Sequence, residues 1–368
     1  MALPSLLTPA SFDDLPDWSS DDHGAAFAAF RRSAVHAQQK PYRNGSLGVA
    51  FEAFGEAYWE ALQASAPDSR ETRGFFEHHF VPCKISAALS AQGFVTGFYE
   101  PIVAASAVRT AEFTIPLYAR PDDLVAVNDG NRPEAMDPPF AFGRETGRGI
   151  VEYPDRRAIE EGALAGRGLE MAWLKDRVDA FFIHVQGAAR LQLTDGTTQR
   201  VTYAAKSGHP FTGPGGVLAS LGEIPRETVT MQSIRAWFRA HPDQVDEILW
   251  RNRSFIFFRR ADVADPELGP IAAAKVPLTA GRSIAVDRLL HTFGTPVFVD
   301  APTLDAFGEK PFRRLMIAQD TGSAITGPAR GDLFAGSGDA AGEIAGVVRH
   351  AADFYALVPR QLVAGRVR

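Results

Sequence analysis

Three aspartates, Asp287, Asp320 and Asp332, each adjoin a short apolar run near the C-terminal end of the chain. A segment rich in glycine, threonine and serine separates the last two, which are twelve positions apart. Short apolar runs bounded by such turn residues predict β-strands. The three carboxylates are therefore expected at strand ends, where they could perform acid–base chemistry or bind a hard cation.

General acid–base catalysis fits this group best. Cleavage of a glycosidic bond needs a carboxyl that is still protonated near neutral pH, because the alkoxide is a poor leaving group. Apolar neighbours and nearby carboxylates both raise a carboxyl pKa, and Asp332 is followed by Leu333 and Phe334. The alternative is that Asp320 and Asp332 accept hydrogen bonds from backbone amides in turns, and the spacing alone favours this alternative.

Other chemistries have weaker support. The nine histidines form no HExxH pair, and the adjacent His78 and His79 cannot share one helix face. The segment Gly336–Gly338 lacks the spacing of a serine nucleophile elbow, and the glycines there do not form a GxGxxG motif. The single cysteine, Cys83, is interpreted as a small core residue. We therefore expect no metal and no cofactor, although three aspartates could hold Mg²⁺.

Length and composition indicate a packed protein of one large or two smaller domains. The chain has 368 residues, of which 45% are hydrophobic and 22% charged, with a net charge of -6. No basic patch suggests nucleic-acid binding, and no apolar run reaches the roughly 18 residues that span a bilayer. Residues 1–16 have neither a basic n-region nor an apolar h-region. Either the protein is cytoplasmic or this chain lacks its export signal.

The periodicity of apolar residues changes along the chain from helical to strand-like. Helices are predicted over residues 22–39, 47–64, a segment opened by Asp68 and Glu71, 154–164, 226–240 and 242–251. Strands are predicted over 93–100, 113–118, 181–187, 189–193, 199–203, 254–258, 283–286 and 297–299, with 121–149 as loop. Short strands separated by glycine turns predict barrels, and the lack of a linker favours one domain inserted into another.

Several motifs of distinctive length occur in a characteristic order. They are Thr96–Pro101, Val185–Gly187, Tyr203–Pro210, Met231–Arg235, Asn252–Phe258, Val276–Thr279, Arg282–Asp287 and Asp320–Asp332. Through these motifs, residues 75–355 resemble the membrane-bound lytic murein transglycosylase A family. The C-terminal part is also similar to the three-aspartate barrel domain, with Asp287, Asp320 and Asp332 as its aspartates.

The resemblance implies a mainly β fold with peripheral helices. Residues 1–97 and 240–368 would form a discontinuous double-psi β-barrel catalytic domain with N-terminal helices. Residues 98–239 would form an inserted second β-barrel domain that binds substrate. A groove between the two would hold a glycan strand.

The resemblance also implies an activity: lytic cleavage of the β-1,4 bond between N-acetylmuramic acid and N-acetylglucosamine, with formation of a 1,6-anhydro ring. Asp332 would be the single catalytic acid and base, while Asp320 and Asp287 maintain the geometry and electrostatics around it. The expected substrate contacts are Thr96, Tyr99, Gln186 and Lys206. The alternatives are a glycan hydrolase on the same barrel and a non-catalytic peptidoglycan-binding module.

The sequence departs from the family pattern at a few positions. Phe98 replaces a tyrosine, Ala188 and Ala189 replace a Ser-Gly pair, Thr326 replaces a common lysine, and Ala335 replaces a common aromatic residue. These changes are expected to alter substrate affinity and leave the acid in place.

The family further implies where the protein acts and what it meets there. We expect a monomeric periplasmic protein, associated with the outer membrane in its full precursor, although no lipobox cysteine precedes residue 20. Its expected partners are peptidoglycan glycan strands and proteins of cell-wall synthesis or division, and not nucleic acid.

Overall fold

The computed structural model describes residues 4–65, 67–87, 92–138, 140–308 and 310–364. The chain divides into two compact units, a discontinuous unit of Met1–Tyr99 with Val263–Arg368, and an inserted unit of Glu100–Asp262. Among the described residues, no helix is long and apolar enough to cross a membrane.

The helices and strands alternate in short segments along the chain. The α-helices are α1 (His23–Gln39), α2 (Gly55–Gln63), α3 (Ser69–His79), α4 (Arg156–Ala158), α5 (Arg177–Gln186), α6 (Pro214–Ser220), α7 (Met231–Ala240), α8 (Val245–Trp250), α9 (Asp339–Val347) and α10 (Arg360–Ala364). The strands are β1 (Leu7–Pro9), β2 (Phe80–Ile85), β3 (Gly93–Glu100), β4 (Ile102–Ser106), β5 (Ile115–Tyr118), β6 (Leu124–Ala126), β7 (Phe142–Thr146), β8 (Gly149–Val151), β9 (Glu170–Leu174), β10 (Ala188–Leu193), β11 (Thr198–Lys206), β12 (Ile256–Arg260), β13 (Ser283–Val286), β14 (Pro296–Ala301), β15 (Phe312–Asp320), β16 (Arg330–Ser337) and β17 (Arg349–Pro359).

The discontinuous unit contains a closed β-barrel. Its strands follow the order β17-β14-β15-β13-β16-β3, and β3 pairs again with β17 to close the ring. The β13–β15 pair is parallel, whereas β13–β16, β14–β15 and β14–β17 are antiparallel. Closure leaves these six strands without a free edge, so their side chains are held in a fixed register.

Helices α1 to α3 pack beside this barrel, and their limits follow from local capping. The Asp22 carboxylate accepts a hydrogen bond from the amide of Ala25 at the start of α1. Asp68 and Glu71 form the predicted capping box at the start of α3. Phe27 and Phe30 lie on the buried face of α1, as the helical periodicity predicted.

The inserted unit contains a second barrel, with strand order β12-β11-β10-β4-β9-β5. A bridge between Ala119 and Phe258 joins the two ends of this sheet. Ala180 and Ile183 of α5 contribute to the apolar core of this barrel together with residues from its strands. Strands β6, β7 and β8 form a separate small sheet.

The expected fold class, mainly β with peripheral helices and a second barrel inserted into the first, is confirmed. The inserted unit, however, ends after Asp262 and not after residue 239. The reason is that β12 forms a hydrogen-bonded ladder with β11 of the inserted barrel, so residues 240–262 stay with that unit.

Some predicted elements are wrong. The expected strand over 181–187 is helix α5, because the Asp176 carboxylate caps its first turn and Gly187 ends it with φ 75°. A short apolar run does not by itself distinguish a strand from a buried helix. The expected loop over 121–149 contains β6 and β7 and the first residue of β8.

Candidate active site

Asp320 and Asp332 lie in one row across three neighbouring strands. In the register of the barrel, Ala285 on β13 faces Asp320 of β15 on one side and Asp332 of β16 on the other. Paired residues on adjacent strands project to the same face, and strands are about 4.8 Å apart, so the two aspartate Cα atoms are separated by roughly 10 Å. The small Ala285 side chain between them leaves room for both carboxylates.

Asp332 is held by a short chain of hydrogen bonds. The Thr96 hydroxyl donates to Asp332 Oδ1 at 2.5 Å, and Arg330 Nη2 donates to Thr96 Oγ1 at 2.7 Å. Arg330 precedes Asp332 by two residues on the same strand, so the two side chains share one face of β16. Thr96 lies 236 positions away in the sequence, and it is brought to Asp332 because β3 is the neighbour of β16.

An apolar wall adjoins the same face. Phe98 and Phe334 lie two residues beyond Thr96 and Asp332, and their ring centroids are 5.2 Å apart. Both belong to a small cluster of buried side chains that includes Leu278 and Ala285. Burial raises the pKa of Asp332, while the Thr96 hydrogen bond and the Arg330 charge partly oppose this shift. Asp332 as a whole residue is nonetheless only partly buried.

Asp320 is a second carboxyl with a raised pKa. Burial, opposed by backbone hydrogen bonds and reinforced by the charge of Asp332, raises the Asp320 pKa to about 6. The amide of Ala273 donates to Asp320 Oδ1 at 3.1 Å. The preceding residue, Gln319, anchors β15 by accepting from Ser283 Oγ at 2.6 Å and donating to the carbonyl of Ala29 in α1. Asp320 is thus fixed at the end of a rigid strand.

Asp287 makes different contacts from the other two aspartates. Its Oδ1 accepts from the amide of Leu289 at 3.0 Å, and its Oδ2 accepts from the amide of Gly327 at 2.8 Å. These hydrogen bonds tie the segment between β15 and β16 to the end of β13. Hydrogen bonding to backbone amides, the alternative role expected of Asp320 and Asp332, is thus seen at Asp287, and Asp320 accepts one such bond from Ala273.

The expected substrate contacts are divided between the units. Tyr99 lies in the discontinuous unit and not in the insert, because it belongs to β3. Only 6% of it is exposed, and its ring lies so close to Gly342 of α9 that an added Cβ there would be 3.0 Å from the ring. Little of the Tyr99 ring is therefore available to stack on a sugar.

Gln186 and Lys206 belong to the inserted unit, at the last positions of α5 and β11. Both are partly exposed, and burial lowers the pKa of Lys206. The residues after Lys206 anchor the chain: Ser207 Oγ accepts from the amide of Phe255 at 3.1 Å, and His209 Nε2 contacts the carbonyl oxygen of Tyr153 at 2.7 Å. The end of β11 is thereby fixed.

Phe334 is the apolar neighbour that the sequence predicted for Asp332, whereas Arg330 and Gln319 were not predicted as site residues. The alternation of a strand could have identified Arg330, which lies two positions before Asp332. Gln319 could not have been found in this way, since its partners are in α1 and β13. Among the described residues, no group of three or more histidine, cysteine or acidic side chains could hold a metal ion.

We expect Asp320→Asn to stabilise the protein at neutral pH. Because the Asp320 pKa rises from 3.8 to about 6 on folding, the folded state binds more protons than the unfolded chain between these values, and stability falls as pH rises. Asparagine avoids this cost, which is on the order of 1–3 kcal/mol once the wild-type carboxyl is ionised. Urea unfolding at about pH 4 and about pH 8 measures the difference, which should appear only at the higher pH.

The exposed Asp262 provides the control, because Asp262→Asn should change stability equally little at both pH values. A gain for Asp320→Asn that is the same at both pH values, or a loss at the higher one, would contradict the assigned pKa shift.

Comparison with known proteins places both units in one family. The family model described as the MltA specific insert domain matches residues 94–259, and that of the 3D domain matches residues 282–358. The membrane-bound lytic murein transglycosylase A of Escherichia coli (strain K12) is 33% identical over 260 residues, which cover 69% of this chain and 62% of that protein. The chain thus aligns with less than two thirds of that relative's length.

Solved structures extend the similarity to nearly the whole chain. The crystal structure of a membrane-bound lytic murein transglycosylase from Agrobacterium tumefaciens has a TM-score of 0.92 at 51% identity, covering 98% of this chain and 99% of that one. The crystal structure of E. coli MltA with bound chitohexaose has a TM-score of 0.66 at 26% identity, covering 97% and 92%. The chain therefore belongs to the membrane-bound lytic murein transglycosylase A (MltA) family.

Proposed function

We propose that this protein is a lytic transglycosylase that cleaves the β-1,4 bond between N-acetylmuramic acid and N-acetylglucosamine in peptidoglycan. Family membership supports the reaction type. The proposal is carried by Asp332, a partly exposed residue whose carboxyl has a pKa raised by burial and accepts a hydrogen bond from Thr96. Such a carboxyl can hold a proton for a poor leaving group.

In the proposed mechanism Asp332 acts twice. The protonated carboxyl first donates its proton to the glycosidic oxygen. The bond from that oxygen to C1 of muramic acid then breaks, and the oxygen keeps the electron pair of this bond. The resulting carboxylate then accepts the proton of the C6 hydroxyl, whose oxygen bonds to C1 and closes the 1,6-anhydro ring. The carboxyl ends in its starting state, and no water is consumed.

The remaining carboxylates are proposed to support this group. Asp320 would set the charge at the site, since its ionisation and that of Asp332 oppose each other. Asp287 would position the segment before β16 through Gly327. Retaining glycosidases have two carboxyl groups about 5–5.5 Å apart, whereas the proposed mechanism uses Asp332 alone and requires no second carboxylate as nucleophile.

The hydrolase alternative rests on this same geometry. Inverting hydrolases have carboxyl groups about 6.5–9.5 Å apart, with a water molecule between them. Asp320 and Asp332 lie two strands apart, with Cα atoms separated by roughly 10 Å, so Asp320 is the residue that would activate the water in such a mechanism. The identity of the product distinguishes the two mechanisms.

We propose that Thr96, Tyr99, Gln186 and Lys206 contact the glycan. Lys206 can donate hydrogen bonds to acetamido or hydroxyl oxygens, and Gln186 can both donate and accept. For the E. coli relative, a structure with bound chitohexaose exists, which supports a binding site for a chain of N-acetylated sugars. Of these four residues, Tyr99 is the most deeply buried.

The proposed substrate also determines where the protein would act. Peptidoglycan strands lie in the cell envelope, and the relatives are named membrane-bound. We propose a periplasmic enzyme whose full precursor associates with the outer membrane. A monomer acting beside proteins of cell-wall synthesis or division fits this role.

Digestion of purified sacculi tests the proposed reaction. Separation of the soluble fragments followed by mass spectrometry should show muropeptides with a 1,6-anhydro end, each lighter by one water than the hydrolysed form. Fragments with a reducing muramic acid end would establish the hydrolase instead. Retention on sacculi without release of fragments would establish a binding module.

The Thr96 hydrogen bond gives a prediction for the pH dependence of the rate. Since the Thr96 hydroxyl stabilises the ionised Asp332 carboxylate, Thr96→Val should raise the pKa of Asp332 further. The protonated acid then persists to higher pH, so the basic limb of the kcat/KM profile should move upward. Initial rates of anhydro product release across pH measure this shift.

Thr96→Ser is the matched control, because it keeps the hydroxyl and should leave the basic limb near its wild-type position. A basic limb that moves downward in Thr96→Val, or equally in both variants, would contradict the role given to this hydrogen bond.

A further inference from the structure

The inserted unit contains a cavity of about 320 Å³. It lies among β5, α4 and α5, and every residue that lines it belongs to the inserted unit. Its volume is at the lower end of the range for small-molecule sites. Three arginines contribute to its wall, which are Arg109, Arg156 and Arg177.

Arg156 forms the buried base of the wall. It is 1% exposed, and its guanidinium donates to the carbonyl oxygens of Asn252 and Ser254 and to Glu160 Oε1. The same group lies over the Phe255 ring at 5.2 Å. These contacts fix the Arg156 guanidinium in place. The negative charge of Glu160, the acidic residue of the lining, is paired with it.

His184 presents a donor to the cavity. It is 6% exposed and lines the cavity, and its Nδ1 is 3.1 Å from Arg156 Nη2. A guanidinium has no acceptor, so Nδ1 must accept and the proton must be on Nε2. Burial and the Arg156 charge lower the pKa of His184 well below 6.5, which keeps the ring neutral. In the described part of the chain, nothing accepts the Nε2 proton.

Further donors around the cavity are also unused. The Arg109 guanidinium lies over the Trp173 ring at 5.8 Å, and no acidic side chain among the described residues pairs with it. Within the same residues, the Tyr118 hydroxyl likewise has no hydrogen-bond partner. Pro116, Ala180 and Phe255 supply apolar surface beside these groups.

We infer that this cavity binds the terminal carboxylate of a peptidoglycan stem peptide. Arg177 is already paired with Asp246, but the Arg109 guanidinium, the His184 Nε2–H and the Tyr118 hydroxyl line the same cavity with donors still available, which suits an anion with several lone pairs. The adjoining apolar surface suits the small aliphatic group next to that carboxylate. The cavity can hold one or two amino-acid residues. The choice of ligand rests on the proposed function, because the stem peptide is the carboxylate-bearing part of that substrate.

Calorimetric titration of the full chain tests this inference. The probes are a stem tetrapeptide with a free terminal carboxylate, the same peptide with a terminal amide, and inorganic phosphate. The free acid should bind at least about tenfold more tightly than the amide, because a hydrogen bond to a charged group is lost. Phosphate should displace the peptide only at much higher concentration.

Two variants locate the binding in the cavity. Arg109→Gln should weaken peptide binding about tenfold, and Tyr118→Phe, which removes a single oxygen atom, should weaken it several-fold. Arg157→Gln is the matched control, since Arg157 pairs with Glu161 on the exposed side of α4 and does not line the cavity. It should bind the peptide like wild type.

Several outcomes would overturn the inference: no saturable binding of the free acid, equal binding of the amide, displacement by phosphate at equal concentration, or unchanged binding in both cavity variants. The peptide contains no glycosidic bond, so its binding does not depend on turnover. A protein that binds the peptide without cleaving sacculi would refute the proposed reaction alone, whereas one that cleaves sacculi without binding the peptide would refute this site alone.

Discussion

Asp332→Asn should lower the rate of 1,6-anhydro product release from sacculi by about 10²–10⁴-fold or more. This range is the usual contribution of one acid–base step, and here both steps use the same group. Asparagine has the shape of aspartate and can still accept the Thr96 hydrogen bond, so the site should keep its geometry. The amide cannot deliver the proton or recover it.

The matched control is Asp300→Asn on β14 of the same barrel. Asp300 accepts a hydrogen bond from Arg313 at 3.0 Å, so its loss removes a carboxylate from the unit without touching Asp332. We expect a rate near that of wild type. Sacculus binding should persist in Asp332→Asn, because the substitution removes the ionisable carboxyl but leaves the contact area of the side chain unchanged.

Equal losses of rate in Asp332→Asn and Asp300→Asn would point to a general effect on the barrel. A substantial residual rate in Asp332→Asn with an intact fold would mean that another residue acts as the catalytic acid. Asp320 would then be the next candidate, since its pKa is raised to about 6.

Local sequence signals predicted the elements that depend on local interactions. Helix α3 begins at a capping box, in which the side chains of Asp68 and Glu71 each accept a hydrogen bond from the other's backbone amide. The two residues are only three positions apart. The hairpin between β10 and β11 turns at Asp195 and Gly196, where glycine has φ 86°. Such signals lie within a few residues and are visible before any fold is known.

The arrangement of the candidate site could not be obtained in this way. That Ala285 faces both Asp320 and Asp332 is set by strand pairing, and a shift of one residue would turn either carboxylate to the opposite face. The Thr96 contact depends on β3 lying beside β16. The sequence could therefore identify the carboxylates, while their partners required the closed barrel.

Segment 181–187 shows a second limit of predicting structure from sequence. Its apolar side chains fit a buried strand and a buried helix equally well, and burial within the inserted unit decides the outcome. Ala180 and Ile183 pack into the barrel core, while Phe181 and Phe182 pack against α6, α7 and α8. Opposite faces of one helix thus serve two apolar clusters, whereas a strand would place the adjacent Phe181 and Phe182 on opposite faces.

Arg282→Ala should lower the free energy of unfolding by about 3–5 kcal/mol. Arg282 and Asp21 form an ion pair at 2.7 Å, and their side chains are 7% and 3% exposed. Arg282 also donates to the carbonyl oxygen of Leu315, whose amide donates to Asp21. The pair joins the segment before α1 to β15, so alanine would leave a buried carboxylate without its counter-charge.

Arg313→Ala on β15 is the matched control, since Arg313 pairs with Asp17 and Asp300 at a more exposed position. Its loss should cost about 0–1 kcal/mol. Urea unfolding of both variants measures the difference. Replacing Arg282 by methionine together with Asp21 by asparagine should restore part of the loss, because the unpaired charge is then removed. A large loss that persists in this double variant would mean that the pair stabilises the unit through its hydrogen bonds to Leu315 rather than by compensating a buried charge.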